Sequence, residues 1–298
     1  MKTLTGLLSI VLTSVLVITS CVEPDQEVFS DIPRDVVLES EDPEVLAALA
    51  KSAYSPIRGT WGGHNSLWSM HEVASDEMVI TQKGPDWEDG GQWIRMHQHN
   101  YNSNEESINN AWNYCYTAIG QVNTLLRQFS ESEALSAELR SLRALVYLWL
   151  IDAYGNVPII REDDTNPAPP TNSRQEVFDF IESEVTASLP FLAQEKTYTR
   201  INYYVGQMIL AKLYLNAEVY VGTARYGEAA AAAQEIITGG LYSLEPDFFA
   251  NFETDNAASN ENIFVINYDK DNAQGFNLPQ MTLHYLSQQT YDLQEQPW

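Results

Sequence analysis

Apolar side chains recur three and four residues apart along most of the chain after residue 41, which is the spacing of one face of an α-helix. The clearest stripe is Ile108, Trp112, Cys115, Ile119, Val122, Leu126 and Phe129. A second helix, over about 134–154, is apolar nearly all round between Ala144 and Ile151, so we expect it at the centre of the fold. Gly155 and Pro158 then mark its end.

Polar residues predict where further helices begin. Pro43 follows the cap residue Asp42, and the pairs Ser103–Glu106 and Ser173–Glu176 each have the spacing of a capping box. Two more helices, over about 202–220 and 225–238, flank Gly222 and resemble a tetratricopeptide-type helix–turn–helix unit. The sequence therefore predicts a mainly α fold of tetratricopeptide-like helical repeats, with long irregular loops and few short strands.

Residues 56–102 interrupt this helical pattern. They contain four of the seven tryptophans, four of the five histidines and several glycines, and the pattern predicts a long irregular insertion with one short helix near 68–75. Long irregular segments in compact domains are often functional, and the aromatic content argues against disorder. The best strand candidate lies elsewhere, over 263–268.

The first twenty residues have the features of a secretory signal. Lys2 precedes an apolar run, and the small residues Thr19 and Ser20 stand immediately before Cys21, an arrangement that resembles a bacterial lipobox. We therefore predict a signal peptide over 1–20, lipidation of Cys21, and an acidic, proline-containing linker over 21–40 that leads to one helical domain over 41–298. The alternative is an ordinary cleaved signal followed by an incidental cysteine.

Composition removes several classes of function. With 41 acidic and 16 basic residues the chain has a net charge of −25, which disfavours binding to nucleic acid and to anionic lipid headgroups. A membrane link must therefore come from an anchor. If Cys21 carries lipid, Cys115 has no disulfide partner, and its place on an apolar stripe predicts a buried structural thiol.

Several segments together resemble the SusD/RagB family. The matching strings are SLRALVYLWLIDAYGNVP over 141–158, AKLYLNAEVY over 211–220, YGEA over 226–229, NF over 251–252 and SNENIF over 259–264, and DWEDGGQW over 86–93 is similar to a loop found in part of the family. The resemblance extends over essentially the whole chain after the signal. The family pattern continues past Trp298, so the resemblance also implies that a C-terminal part is missing.

The resemblance implies a lipoprotein of the outer membrane of Bacteroidota that faces the cell exterior. Such proteins bind oligosaccharides, act with a SusC-like TonB-dependent transporter and are not enzymes. Four tetratricopeptide-like units support their irregular ligand face, and the resemblance implies no cofactor.

The insertion over 56–102 supplies the residue types that a neutral sugar requires. Aromatic rings can stack on the flat C–H faces of a sugar, and convergent polar groups can orient its hydroxyls. The candidate ligand-binding residues are Trp61, Asn65, Asp86, Trp87, Asp89 and Trp93. The alternative for each tryptophan is that it packs the insertion onto the helices.

Three other interpretations stay open from the residues alone. A glycosidase would need two carboxylates across the scissile bond, and Asp76, Glu77, Asp86, Glu88 and Asp89 are close in sequence. The H-x-H pair His97 and His99 could contribute to a metal site, although a solvated or capping role is the simpler interpretation. Helical repeats also serve as protein-interaction scaffolds, but those place aromatic residues on repeat helices rather than on loops.

Overall fold

The computed structural model describes residues 43–82, 87–253, 255–269, 271, 273–274 and 286–291. The predicted signal, Cys21, the predicted linker and the candidate Asp86 lie outside these residues. The described residues are mainly helical, as predicted, and they contain no strand. Among them, isolated β-bridges pair Val157 with Asn172 and Asp269 with Ala273.

The helices differ widely in length, from five to 23 residues. In the described part of the chain the α-helices are α1 (Pro43–Tyr54), α2 (Arg58–Gly62), α3 (Leu67–Val73), α4 (Gln92–His97), α5 (Glu106–Gln128), α6 (Glu133–Tyr154), α7 (Arg174–Ser188), α8 (Tyr203–Leu215), α9 (Ala217–Val221), α10 (Tyr226–Gly239) and α11 (Ser287–Tyr291). Single 3₁₀ turns occur over Asp89–Gly91, Leu189–Phe191 and Phe248–Phe252. No helix in this part of the chain is both long enough and apolar enough to cross a bilayer.

The long helices stack one on the next. Helix α5 packs on α6, α6 on α7, α7 on α8 and α8 on α10. The predicted central helix is α6, and its residues Leu139, Leu142, Val146 and Leu150 have no exposed surface. This succession of packed helices is the tetratricopeptide-like arrangement that the hydrophobic spacing predicted.

One arginine lies inside this apolar stack. The side chain of Arg143 is 1% exposed, and its guanidinium donates hydrogen bonds to Glu184, Glu162 and Asn123. A buried charge without partners would strongly destabilise a fold, so its neighbours on α5, α7 and the loop after α6 must stay in place. The network therefore fixes how these helices meet.

Of the two predicted capping boxes, one is confirmed and one is wrong. The hydroxyl of Ser173 accepts a hydrogen bond from the Glu176 backbone N–H, and the Glu176 carboxylate accepts one from the Ser173 backbone N–H. The Ser103–Glu106 box does not form, because α5 begins at Glu106 and Glu105 occupies the cap position. The Glu105 carboxylate binds Arg95 instead, a tertiary contact that a local pattern cannot reveal.

Three other local predictions need correction. The insertion over 56–102 contains the predicted short helix, α3, and two further ones, α2 and α4, because its aromatic residues have a small core to pack on. The predicted helix over 202–220 breaks at Asn216, whose side chain donates to the Lys212 carbonyl. The predicted strand over 263–268 does not form, since these residues join no β-ladder within the part of the chain that the structure describes, and the Val265 N–H donates to the Tyr198 carbonyl.

Candidate functional site

Two segments of the predicted insertion meet, and together they form what we call the tryptophan face: residues 61–65 and residues 87–91. The rings of His64 and Trp87 are edge to face, with 5.6 Å between their centroids. The first segment is also tied to α5, where the Asn110 side chain donates to the Asn65 carbonyl at 3.0 Å. The fold thus brings sequence-predicted residues from both segments into one region.

A small second core supports this region. Its buried members are Leu67, Met70, Val73, Ile80, Trp87, Trp93, Met96 and Ala111. Helices α3 and α4 provide most of these side chains, and Ala111 provides the contact with α5. The apolar residues that make the insertion rich in tryptophan and methionine therefore hold it on the helical stack.

The backbone between Trp87 and Gly91 makes an unusual turn. Trp87, Asp89, Gly90 and Gly91 all have positive φ, at 66°, 42°, 61° and 77°. Glycine adopts such angles freely, whereas each non-glycine residue there costs about 1–2 kcal/mol. Two non-glycine residues hold this conformation, so contacts within the turn must offset the strain.

Side chains supply those contacts. The Trp93 indole N–H donates to the Asp89 carboxylate at 2.6 Å, and the Arg95 guanidinium donates to the Gly90 carbonyl at 2.6 Å. The same guanidinium makes a two-pronged pair with the buried Glu105 carboxylate, at 2.6 and 2.7 Å. The turn is thereby attached to the N-terminus of α5, and its shape is set before any ligand arrives.

The three candidate tryptophans are not equally accessible. Trp93 is 1% exposed and Trp87 is 7% exposed, so protein covers both rings. Trp61 is half-buried, and Asp89 is exposed. That at least one of the three tryptophans contacts a ligand stays a prediction. Trp61 is the most accessible of them and is therefore the best candidate, whereas Trp87 and Trp93 support the turn.

Some buried polar atoms in this region have no hydrogen-bond partner among the described residues. They are Trp61 Nε1, Asn65 Oδ1 and Gln92 Oε1. Such atoms are rare in folded proteins, because leaving one unsatisfied costs about 1–3 kcal/mol. All three atoms are covered by protein, so they mark a closely packed support and not a surface that contacts a ligand.

Trp61 also lies on the wall of a groove of about 600 Å³. Trp149 lies beside it, with the ring centroids 5.6 Å apart and the planes at 71°. The groove has apolar walls from α6 and α8, and Lys212, Asn251 and Glu261 are among the polar groups that line it. A mostly apolar wall with a few polar groups is the usual make-up of a small-molecule site.

A second cavity, of about 690 Å³, has no sequence-predicted candidate on its wall. Its lining includes His71, Tyr101, Asn102 and Asp152. Burial lowers the pKa of His71, which favours its neutral form near neutral pH. The wall combines residues from α3, the loop before α5 and the end of α6, so no local sequence pattern points to it.

The alternative chemistries find less support in the described residues. No group of three or more His, Cys, Asp or Glu side chains there is placed to hold a metal ion. His99 contacts the Ala74 carbonyl at 2.7 Å. Glu88 accepts a hydrogen bond from the Gly90 N–H and Asp89 accepts one from Trp93, so both carboxylates stabilise the turn.

Comparison with known families agrees with this architecture. A family profile described as starch-binding and associating with the outer membrane, SusD-like, matches residues 27–215, which is well over half of the chain. The chain belongs to this SusD-like family. The matched region runs from the predicted linker to the end of α8 and includes the whole tryptophan face.

Two curated proteins are similar in sequence to part of this chain. The starch-binding protein SusD of Bacteroides thetaiotaomicron is 32% identical over 152 residues, which are 48% of this chain and 27% of that protein. A SusD-like protein of Bacteroides ovatus is 28% identical over 124 residues, which are 37% of this chain and 23% of that protein. The chain thus matches about a quarter of the length of these relatives.

Solved structures share the fold over a larger part. A SusD superfamily protein of Parabacteroides distasonis superposes with a TM-score of 0.67 at 19% identity, over 80% of this chain and 54% of that one. Surface glycan-binding protein A of Bacteroides thetaiotaomicron, in complex with laminarihexaose, gives a TM-score of 0.66 at 20% identity, with the same coverage. At these identities the likeness concerns the fold.

Proposed function

We propose that this protein binds an oligosaccharide outside the cell and delivers it to a SusC-like TonB-dependent transporter in the outer membrane. The observation that carries the proposal is the tryptophan face. There, the half-buried Trp61 indole lies on the wall of a groove of about 600 Å³, and a strained turn holds the neighbouring residues in place. Family membership supports a sugar as ligand, as does the laminarihexaose bound to a relative of the same fold.

The roles of the candidate residues follow from their burial. Trp61 provides an aromatic contact for the sugar, and Asn65 and the exposed Asp89 orient its hydroxyls. Trp87 and Trp93 support these groups from beneath. We propose a binding protein rather than an enzyme, and the hydrogen bonds that Glu88 and Asp89 accept within the turn support a structural role for two of the candidate carboxylates.

Affinity electrophoresis on a panel of soluble glycans tests the sugar site. We expect a glycan that retards the wild-type protein to retard Trp61→Ala and Asn65→Ala much less. Trp61→Phe keeps an aromatic ring of smaller area, so it should bind with intermediate strength. Trp112→Phe, on α5 outside the tryptophan face, is the control and should behave as the wild type does. Unchanged retention of Trp61→Ala and Asn65→Ala would refute the site and favour a protein-interaction scaffold.

Attachment to the membrane is proposed to depend on Cys21. Radiolabelled palmitate fed to cells should label the wild-type protein, and Cys21→Ser should be unlabelled and released from membranes. Cys115→Ser is a matched control, because its thiol is buried in the stack, and this variant should still be labelled. If the wild type takes up no label, the signal is an ordinary cleaved one and the cysteine is incidental.

Partnership with the transporter needs its own test. An affinity-tagged protein solubilised from outer membranes in mild detergent should co-purify with a large TonB-dependent transporter. Cys21→Ser should lose this partner in cells because it no longer reaches the membrane. If the purified protein binds glycan but no transporter co-purifies with it, the function is limited to glycan capture.

A further inference from the structure

A third cavity, separate from the tryptophan face, has a charge that is unusual for this protein. It has a volume of about 530 Å³ and lies between α1 and the two segments near residues 200 and 268. Lys51, Arg58 and Arg200 all line it. The whole chain has only 16 basic residues against 41 acidic ones, so three cations on one wall stand out against a negative surface.

The three cations differ in how far their charge is compensated. Arg200 pairs with the buried carboxylate of Glu138, which is also bonded to the Tyr54 hydroxyl at 2.6 Å. Arg58 donates only to neutral acceptors among the described residues, the Asn267 carbonyl at 3.2 Å and the Ser55 hydroxyl at 3.4 Å. Lys51 has no carboxylate partner in that same part of the chain and is exposed on the last turn of α1.

A single carboxylate lies on the described wall of the cavity, that of Asp269. One of its oxygens accepts a hydrogen bond from the Asp271 backbone N–H at 2.9 Å, and Asp269 pairs with Ala273 in an isolated β-bridge. Lys51 and Arg58 together outweigh this charge, and Glu138 already compensates Arg200. The described wall is therefore positive overall.

We propose that this cavity is an oxyanion-binding site. A guanidinium presents a fork of N–H donors that fits two oxygens of a carboxylate, sulfate or phosphate, and an ammonium adds a point charge. Arg58 is held in place through its backbone as well, since its carbonyl accepts a hydrogen bond from the Tyr268 hydroxyl. The site would accept either a carboxylated sugar or a small inorganic anion, and the proposal does not depend on the function of the tryptophan face.

Isothermal titration of the full chain at low ionic strength tests the site with four probes: glucuronate, sulfate, phosphate and neutral glucose. We expect saturable binding of at least one anion, none of glucose at this cavity, and weakening by added salt. Tighter binding of glucuronate than of both inorganic anions identifies an acidic saccharide as the ligand of the cavity. The reverse order identifies a small inorganic anion.

Substitutions locate the binding. Arg58→Gln and Lys51→Met should each weaken anion binding by about tenfold, because each removes a charge-assisted contact. Lys51→Met retains every described tertiary hydrogen bond, so it remains informative if Arg58→Gln fails to fold. Arg174→Gln removes one positive charge at the start of α7, outside the cavity, and should bind as the wild type does. Absence of saturable anion binding, or equal weakening in Arg174→Gln, would overturn the proposal.

Discussion

The guanidinium of Arg143 donates two hydrogen bonds to one oxygen of Glu184, at 2.5 and 3.0 Å, and both side chains are less than a tenth exposed. The pair joins α6 to α7 at the centre of the stack. A buried carboxylate needs a charged or hydrogen-bonding partner, and Arg143 provides it, so loss of this pair should destabilise the fold.

We expect Glu184→Ala to lower the free energy of unfolding by about 3 kcal/mol or more, because it leaves a buried cation with reduced compensation. Urea unfolding followed by far-ultraviolet circular dichroism measures this loss. Glu182→Ala is the matched control on the same helix, where Glu182 pairs with Arg225 at 2.8 Å but is more exposed. That change should cost below about 1 kcal/mol. Equal losses of unfolding free energy in the two variants would show that the buried pair of Arg143 and Glu184 stabilises the fold no more than an exposed pair does.

The pair of Arg95 and Glu105 should make stability depend on pH. The hydrogen bond from Arg95 holds the pKa of Glu105 below its ordinary value of 4.5, although burial opposes the shift. A lowered pKa in the folded state means that the extra stability is present above about pH 4.5 and is lost as pH falls through the folded pKa.

The thermal midpoints of the wild type and of Glu105→Gln, measured from pH 7 to pH 3, isolate this contribution. The difference between them should be constant at the upper end and should shrink below about pH 4.5, the ordinary pKa of a glutamate. Glu106→Gln provides the control, since the adjacent Glu106 is exposed at the start of α5. A difference that does not change with pH would show that Glu105 acts through packing alone.

Gly62 should not tolerate a side chain. A Cβ at this position would overlap the Tyr268 ring, whose hydroxyl donates to the Arg58 carbonyl. We expect Gly62→Ala to destabilise the protein by about 1–2 kcal/mol as the ring is displaced. Gly120→Ala is the control, because a Cβ there meets no atom within 4 Å. Gly120→Ala lies in the interior of α5 and should stabilise the helix by about 0.5–1 kcal/mol. Thermal unfolding should therefore show a lower midpoint for Gly62→Ala and a higher one for Gly120→Ala.

The thiol of Cys115 should be inert in the folded protein. It is buried in the main core, and burial raises its pKa to about 12. In a Cys21→Ser background, we expect no reaction with the thiol reagent DTNB at pH 8 and one equivalent of reaction in urea. Rapid reaction under native conditions would mean that α5 opens locally and exposes the thiol.

The sequence predicted best those features that depend on neighbours along the chain. The Ser173–Glu176 capping box needs only two residues three positions apart and a free helix end, and it forms as predicted. The apolar character of 144–151 placed α6 at the centre because burial on all sides requires it. The same local logic failed at Ser103, where Glu105 has a stronger partner in Arg95, ten residues away in the chain.

Features that depend on contacts between distant residues were missed. The short helices α2 and α4 were not predicted, because their apolar side chains pack on a shared core and no periodicity is visible over so few residues, whereas α3 matches the helix predicted near 68–75. The strand predicted over 263–268 has suitable residues but no neighbouring strand to pair with among the described residues. For the site, composition located the insertion but could not separate the covered Trp87 and Trp93 from the more accessible Trp61.

The paired indoles have a spectroscopic consequence. Trp61 and Trp149 lie 5.6 Å apart, and Trp87 and Trp93 lie 6.2 Å apart, at inclined and fixed angles. Transition dipoles at such distances couple as excitons, so each pair should give a strong circular-dichroism band of its own. One pair borders the groove and the other lies in the small core. Each pair is therefore an intrinsic reporter, the first placed to report on an occupant of the groove and the second on the integrity of the small core.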